Sequence, residues 1–348
     1  MGELSFIGMG LHDENGLTLR GIDAAKNADT VYAEFYTSIM PGLSMDRLRH
    51  LVGKEIEILT RKDLEEDAER TIMSRAKKER VALLIPGDPM SATTHIGLLL
   101  SAKKHGIRTT VIHSASILTA VSGATGLEAY KFGRTVTIPS PKTSPVPESV
   151  YEFIVANKRI GLHTLALLDL EQGGLTIPEA IRILIKLESA KRTGLLTEEA
   201  LVVALARVGA PDCLVRAARA RDLVKGDFGE PPWAIVLPSR LHFVEAEALQ
   251  ILAGAPTRTL GGPRMNEDPA ERTRTYLAAI ERSLKLAESA SNPEALRVVE
   301  YAKRYVADSR YYLETGKPTT ALASVAYAEG LLDSLSIMGV TGLKEKSQ

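Results

Sequence analysis

The chain has 348 residues, more than one domain usually needs, with 45% of them hydrophobic and 25% charged, the balance of an ordinary globular protein with ample core. Lys plus Arg number 43 and so do Asp plus Glu, so the formal net charge is zero and no basic excess favours a nucleic-acid partner. A single cysteine, Cys213, excludes internal disulfides and multi-cysteine zinc sites, and no apolar run approaches the roughly 20 residues of a membrane span.

The N-terminal MGELSFIGMG has no basic segment leading into a long apolar one, so no signal peptide is expected and a cytoplasmic location is. Residues 4–9 read as a short buried strand, followed by a helix through Leu19, Ile22, Ala25 and Ala28. Strands are expected over 30–35 and 55–59, with a short helix over 45–52 between them. The charged run 63–79 reads as one helix, acidic at its start and basic at its end as the macrodipole prefers. A strand over 81–85, a helix over 95–105 and a strand over 109–113 follow. This alternation predicts a mainly parallel sheet covered on both faces.

A second set begins after Gly133, with strands over 135–138 and 162–170. Thr176 and Glu179 form a capping-box pattern opening a helix over 178–192, with Pro178 in its tolerant first turn. Further strands are expected over 200–209, around Leu214 and over 233–237, and a closing helix over 241–254. The stretch 254–269 is rich in Gly, Pro and polar residues and reads as a linker. Beyond it lie three Ala/Leu-rich helical segments, broken at SNPE (291–294) and TGKP (315–318), each break placing a proline where a helix can begin.

Ligands of an open parallel sheet bind at its strand ends. Three loops qualify: FIGMGLHDE (6–14), PGDPMSATTH (86–95) and HSASI (113–117). In the second, Pro86 and Pro89 limit the freedom of the backbone around Asp88, although an aspartate in such a turn also often caps its own loop. No G-x-G-x-x-G fingerprint, phosphate loop, H-E-x-x-H or G-x-S-x-G elbow is present. His242 and Glu245 share a helix face, where surface or capping roles are expected. Tyr32 and Phe35 read as core, and Tyr36, at a strand end, as the better functional candidate of the three aromatic residues. His12, Asp13 and Glu14 lie near the cleft without a distinguishing role.

FIGMGLHDENGLT, AEFYTS (33–38), PGDPMSATTH, HSASI, GLHTLALLDL and DFGEPPW, in this order through residues 1 to about 256, resemble the diphthine synthases of the tetrapyrrole-methylase superfamily. The resemblance implies two α/β domains (1–115 and 116–256) with S-adenosylmethionine in the cleft between them. A linker (257–268) and a small all-α bundle (269–340) follow, the bundle resembling an archaeal helical domain of unknown function. It further implies a homodimer that methylates the amino group of a 3-amino-3-carboxypropyl-histidine on translation elongation factor 2. The cofactor positions carried over are Leu11, Asp88, Ser91, Ser116, Ile117, Leu168, Val208 and Trp233. No metal, membrane or nucleic-acid partner is implied. The alternatives are a tetrapyrrole or rRNA methyltransferase of the same superfamily, or a non-catalytic interaction protein.

Overall fold

The structure, a computed structural model, describes residues 2–170, 173–260, 269–287 and 293–337. The chain divides into two compact units, Met1–Gly262 and Pro263–Gln348.

The first unit opens with β1 (Glu3–Gly8), α1 (Leu19–Asn27), β2 (Thr30–Glu34), α2 (Met45–Val52) and β3 (Ile56–Leu59). Then come α3 (Arg61–Glu65), α4 (Ile72–Ala76), β4 (Arg80–Ile85), α5 (Ile96–Lys104) and β5 (Arg108–Ile112). The five strands form one sheet in the order β3-β2-β4-β1-β5, with every pairing parallel, as the alternation of strands and helices predicts. The two central strands are sealed on both faces by helices. Phe6, Ile7, Leu83 and Leu84 are wholly buried, which is why both strands read as unbroken apolar runs.

One expected element is wrong. The charged run 63–79 is two short helices, α3 and α4. Thr60 and Asp63 cap α3 reciprocally, and the Thr71 hydroxyl then donates to the Asp63 carbonyl at 2.6 Å, folding the chain back on itself. The break lets Leu64 on one piece and Ile72, Met73 and Ala76 on the other all reach the same core, which a straight helix would not allow.

The second half carries α6 (Ile117–Thr125), β6 (Val136–Ile138), α7 (Glu148–Arg159), β7 (Thr164–Leu168) and α8 (Ile177–Lys191). It continues with β8 (Leu201–Ala206), β9 (Leu214–Arg219), α9 (Ala220–Leu223), β10 (Trp233–Leu237) and α10 (Phe243–Ala253). Its sheet runs β6-β7-β10-β8-β9 and only β6 and β7 are parallel. The sequence reading does not include α6, α7 or α9. Small and β-branched residues in ILTAVSGAT weaken the helical signal of α6. Its start is instead marked by Ser116 and Thr119, which form a capping box, and its end by Gly126 at φ 72°. The Thr176–Glu179 capping box opens α8 as expected.

In the second unit, α11 (Pro269–Ala287), α12 (Pro293–Glu314) and α13 (Pro318–Ile337) form the expected three-helix array, with Pro293 and Pro318 opening the last two. Its core repeats at steps of three and four residues, through Leu277, Ile280 and Leu284, then Val299, Ala302 and Val306, then Val325, Ala328 and Leu332. The linker expected at 257–268 lies outside the described residues beyond 260. Among the described residues no helix is long and apolar enough to cross a membrane.

Candidate functional site

The loops after β1 and β4 are hydrogen-bonded to one another. Gly10 N donates to the Gly87 carbonyl at 3.2 Å and Gly87 N to the Gly10 carbonyl at 2.7 Å. Both glycines have positive φ, 79° and 71°, a region that costs other residues energy. A Cβ on Gly8 would stand 2.6 Å from the Gly87 carbonyl and 2.9 Å from Pro89 Cδ, so the approach of the two loops depends on glycine.

Asp88 is buried where these loops meet the one after β5. Its Oδ1 accepts from Met90 N at 3.0 Å and from the Ser91 hydroxyl at 3.1 Å. Its Oδ2 accepts from His113 Nδ1 at 2.7 Å and from Ser114 N at 3.3 Å. Burial works against the charge, but the Met90 amide, His113 and Ser91 outweigh it and hold the carboxyl below its usual range. The carboxylate ties two loops together. Ser91 is one of its donors, and Ser116 is the buried N-cap of α6.

Five of the eight carried-over positions come together. Leu11, Ile117, Leu168, Val208 and Trp233 line one apolar cavity with Leu167, Leu170 and Leu205. Leu11 reaches it from the β1 loop, where its Cβ abuts Gly209, held at φ 94°. The Trp233 indole N–H is bonded to the Gly229 carbonyl at 3.1 Å, so the ring offers a flat face and no free donor. At about 100 Å³ the cavity is smaller than the roughly 300–1,000 Å³ of whole-ligand pockets, and it fits one apolar part of a larger ligand. Asp88, Ser91 and Ser116 are not in its lining; they hold the loops that form its edge.

Residues 3–224 match the family model Tetrapyrrole (Corrin/Porphyrin) Methylases. A diphthine synthase from Methanocella arvoryzae is 45% identical over 253 residues, spanning 72% of this chain and 98% of its own length. One from Methanothermobacter thermautotrophicus is 43% identical over 256 residues, 73% of this chain and 96% of its own length. The chain belongs to the diphthine synthases. A crystal structure of a diphthine synthase agrees with a TM-score of 0.68 and 38% identity, covering 74% of this chain and 98% of that one. Residues 271–341 match a separate family, Protein of unknown function (DUF357). Diphthine synthases are S-adenosylmethionine-dependent methyltransferases, and this chain is one with a helical unit added.

Beside the apolar cavity this diphthine synthase has a polar one of about 430 Å³, which the sequence reading does not anticipate. Tyr36, Thr37, Arg61, Glu65, Thr93 and Thr94 line one side. Leu167 belongs to the walls of both cavities. Tyr32 belongs to one buried cluster and Phe35 packs against another, so both are core as expected. One face of Tyr36 is already covered by Arg61, 5.3 Å from the ring centroid, and burial raises its hydroxyl to about 12. Beneath Tyr36 lie two buried titratable groups. Glu34 accepts from the Tyr36 and Thr37 amides at 3.0 and 3.1 Å, and burial pushes its carboxyl up. His95, 2% exposed and 3.6 Å from Glu34, has both ring nitrogens unbonded, and burial takes it down to about 4. It is a neutral imidazole at physiological pH.

Two of the three candidates on the first loop are structural. Asp13 caps the next turn by accepting from Asn15 N at 3.0 Å. Glu14 is buried, paired with Arg47, and accepts from Ser44 N at 3.2 Å. His12 lies flat against Gly42, where a Cβ would stand 2.4 Å from its Nε2. His242 and Glu245 do cap α10, but Glu245 is fully buried, which corrects the surface alternative. No cluster of three potential metal ligands occurs among the described residues.

Proposed function

We propose that this chain transfers methyl groups from S-adenosylmethionine to the amino group of a 3-amino-3-carboxypropyl-histidine on translation elongation factor 2. It does so as a cytoplasmic homodimer. The observation that carries the reading is the cavity assembled by Leu11, Ile117, Leu168, Val208 and Trp233 at the joined strand ends. These residues suit the cofactor. An apolar slot with an indole face accepts a purine, and the glycine-lined β1 and β4 loops let backbone approach a ribose and amino-acid tail.

When bound, the cofactor supplies a methyl group on a sulfonium cation that an incoming amine can displace. The protein contributes position. Leu11, Val208 and Trp233 keep water from the reacting face, and Asp88 fixes the loops that carry Ser91 and Ser116. Orientation in a dry cleft can supply several kcal/mol of the acceleration without an enzyme nucleophile. With zero net charge the chain has little long-range steering, so the factor is recognised by short-range contacts at the cleft opening.

Incubating the protein with labelled S-adenosylmethionine and folded elongation factor 2 bearing the aminocarboxypropyl group should add methyl-sized masses to the modified histidine. Unmodified factor should be inert, because it lacks the primary amine. Transfer to rRNA or a tetrapyrrole with the factor untouched would overturn the reading. A chain ending at Gly262 should fold and bind S-adenosylmethionine within about twofold of the full protein, because its core closes within Met1–Gly262. Aggregation of that truncated chain, seen by light scattering, would show that the helical unit completes its core.

A further inference from the structure

The polar cavity has features that follow neither from cofactor binding nor from folding. Arg61 opens α3 and Glu65 closes it, with Arg61 Nε 3.9 Å from Glu65 Oε1. Both side chains are partly exposed, at 53% and 37%, so each can reach a ligand in the cavity, and a surface pair of this kind gains little from its own contact. Each is held from behind. The Arg61 guanidinium rests on the Tyr36 ring, and Glu65 accepts from the Thr94 hydroxyl at 2.8 Å. Tyr36 is in turn fixed by the bonds from its own and the Thr37 amide to buried Glu34.

The far wall is Thr135, Thr137 and Leu167. Leu167 and the neighbours Ile117 and Leu118 put this cavity directly against the apolar one, since Ile117 lines one and Leu118 the other. A group in the polar cavity therefore sits next to a cofactor in the apolar one. Opposite charges about one residue-width apart match a group that itself carries both signs on one carbon. A phosphate or a polycarboxylate macrocycle would bring one sign only and meet Glu65 as well as Arg61.

We infer that this cavity receives the α-amino-acid end of the acceptor arm, with Arg61 bonded to its carboxylate and Tyr36 and Glu34 as positioning residues behind Arg61. The inference rests on the methyl-transfer reading above and names the part of the chain that would select its substrate.

The test is acceptor-dependent kinetics of the full-length enzyme with modified elongation factor 2, alongside calorimetric titration with S-adenosylmethionine. Arg61→Gln should raise the acceptor KM about 10- to 100-fold, the loss expected for a charge-assisted hydrogen bond, with cofactor Kd within about twofold. Arg61→Lys should recover part of it. Acceptor whose arm carries a carboxamide in place of the carboxylate should penalise the wild-type enzyme as much as Arg61→Gln does, and should not penalise Arg61→Gln further. Wild-type enzyme that methylates the factor while Arg61→Gln keeps an unchanged acceptor KM overturns the inference alone. Wild-type enzyme that leaves the factor unmethylated overturns the underlying reading, and the inference with it.

Discussion

Replacing Glu245 by alanine should lower the stability of the first unit by about 3–5 kcal/mol, the cost of leaving a buried ionic network without one of its charges. Glu245 is wholly buried at the start of α10. Its carboxylate accepts from His242 N at 2.7 Å and from Glu128 N at 3.0 Å, and it pairs with the Lys131 ammonium. The fourth partner reveals its own protonation. His163 Nδ1 accepts from Ser239 N at 2.9 Å, so Nε2 carries the hydrogen and donates to Glu245 at 2.9 Å. Burial holds His163 below its usual range, and the imidazole is neutral. The network joins α10 to the 128–133 segment and to His163, the residue preceding β7, which backbone bonds from Gly133 N and to the Lys131 carbonyl already hold together.

The pH dependence has a definite sign. Burial opposes the Glu245 charge, but Lys131, His242, Glu128 and His163 outweigh it and bring the carboxyl from 4.5 to about 2. Folded pKa below unfolded pKa means the stabilisation is complete above about pH 4.5 and is lost as pH falls towards 2. Glu188, held at about 2 by Tyr151 and the Leu196 and Gly194 amides despite its burial, titrates in the same window. Urea unfolding of wild type and Glu245→Gln should therefore differ at pH 7 and converge towards pH 2. A Glu245→Ala loss below about 1 kcal/mol at pH 7 would show that the network does not hold the fold.

The first sheet was legible in the sequence because its central strands are buried on both faces and strands and helices alternate along the chain. Both signals are local. The second sheet was harder to read. Its strands were visible as apolar runs, but direction is set by connections, and the antiparallel pairing of β10 with β7 and β8 leaves no mark on the residues of WAIVL itself. The residues of the apolar cavity could be named only through the family resemblance, because Leu11, Leu168 and Val208 are ordinary aliphatic residues until the fold brings them together. The polar cavity escaped for a different reason. Glu65 stands in the charged run 63–79 and Arg61 just before it, and nothing in that run marks their contacts with Tyr36 and Thr94, which are distant in sequence.

Asp88→Ala should weaken S-adenosylmethionine binding by about tenfold or more, and it should also destabilise the first unit by about 2–4 kcal/mol. From sequence alone, a rigid exposed carboxylate on a loop predicts the first effect without the second. The structure adds the second because Asp88 is only 6% exposed and its two oxygens serve four donors. Deleting it strands the part-buried amides of Met90 and Ser114 and releases the Ser91 hydroxyl and His113. The affinity loss follows from freedom gained. Ser114 leads into Ser116 and Ile117, and Pro89 abuts Gly8, so both loops at the cavity edge would have to be reordered on binding, at a cost in conformational entropy. Asp88→Asn keeps one oxygen, which can serve Met90 N and Ser91 or Ser114 N and His113 but not both pairs, so it should retain only part of the stability. Calorimetric titration and urea unfolding on the same preparations decide between the accounts. A variant of normal stability that loses affinity would make Asp88 a direct ligand of the cofactor. One that loses stability and keeps affinity would confine it to the fold.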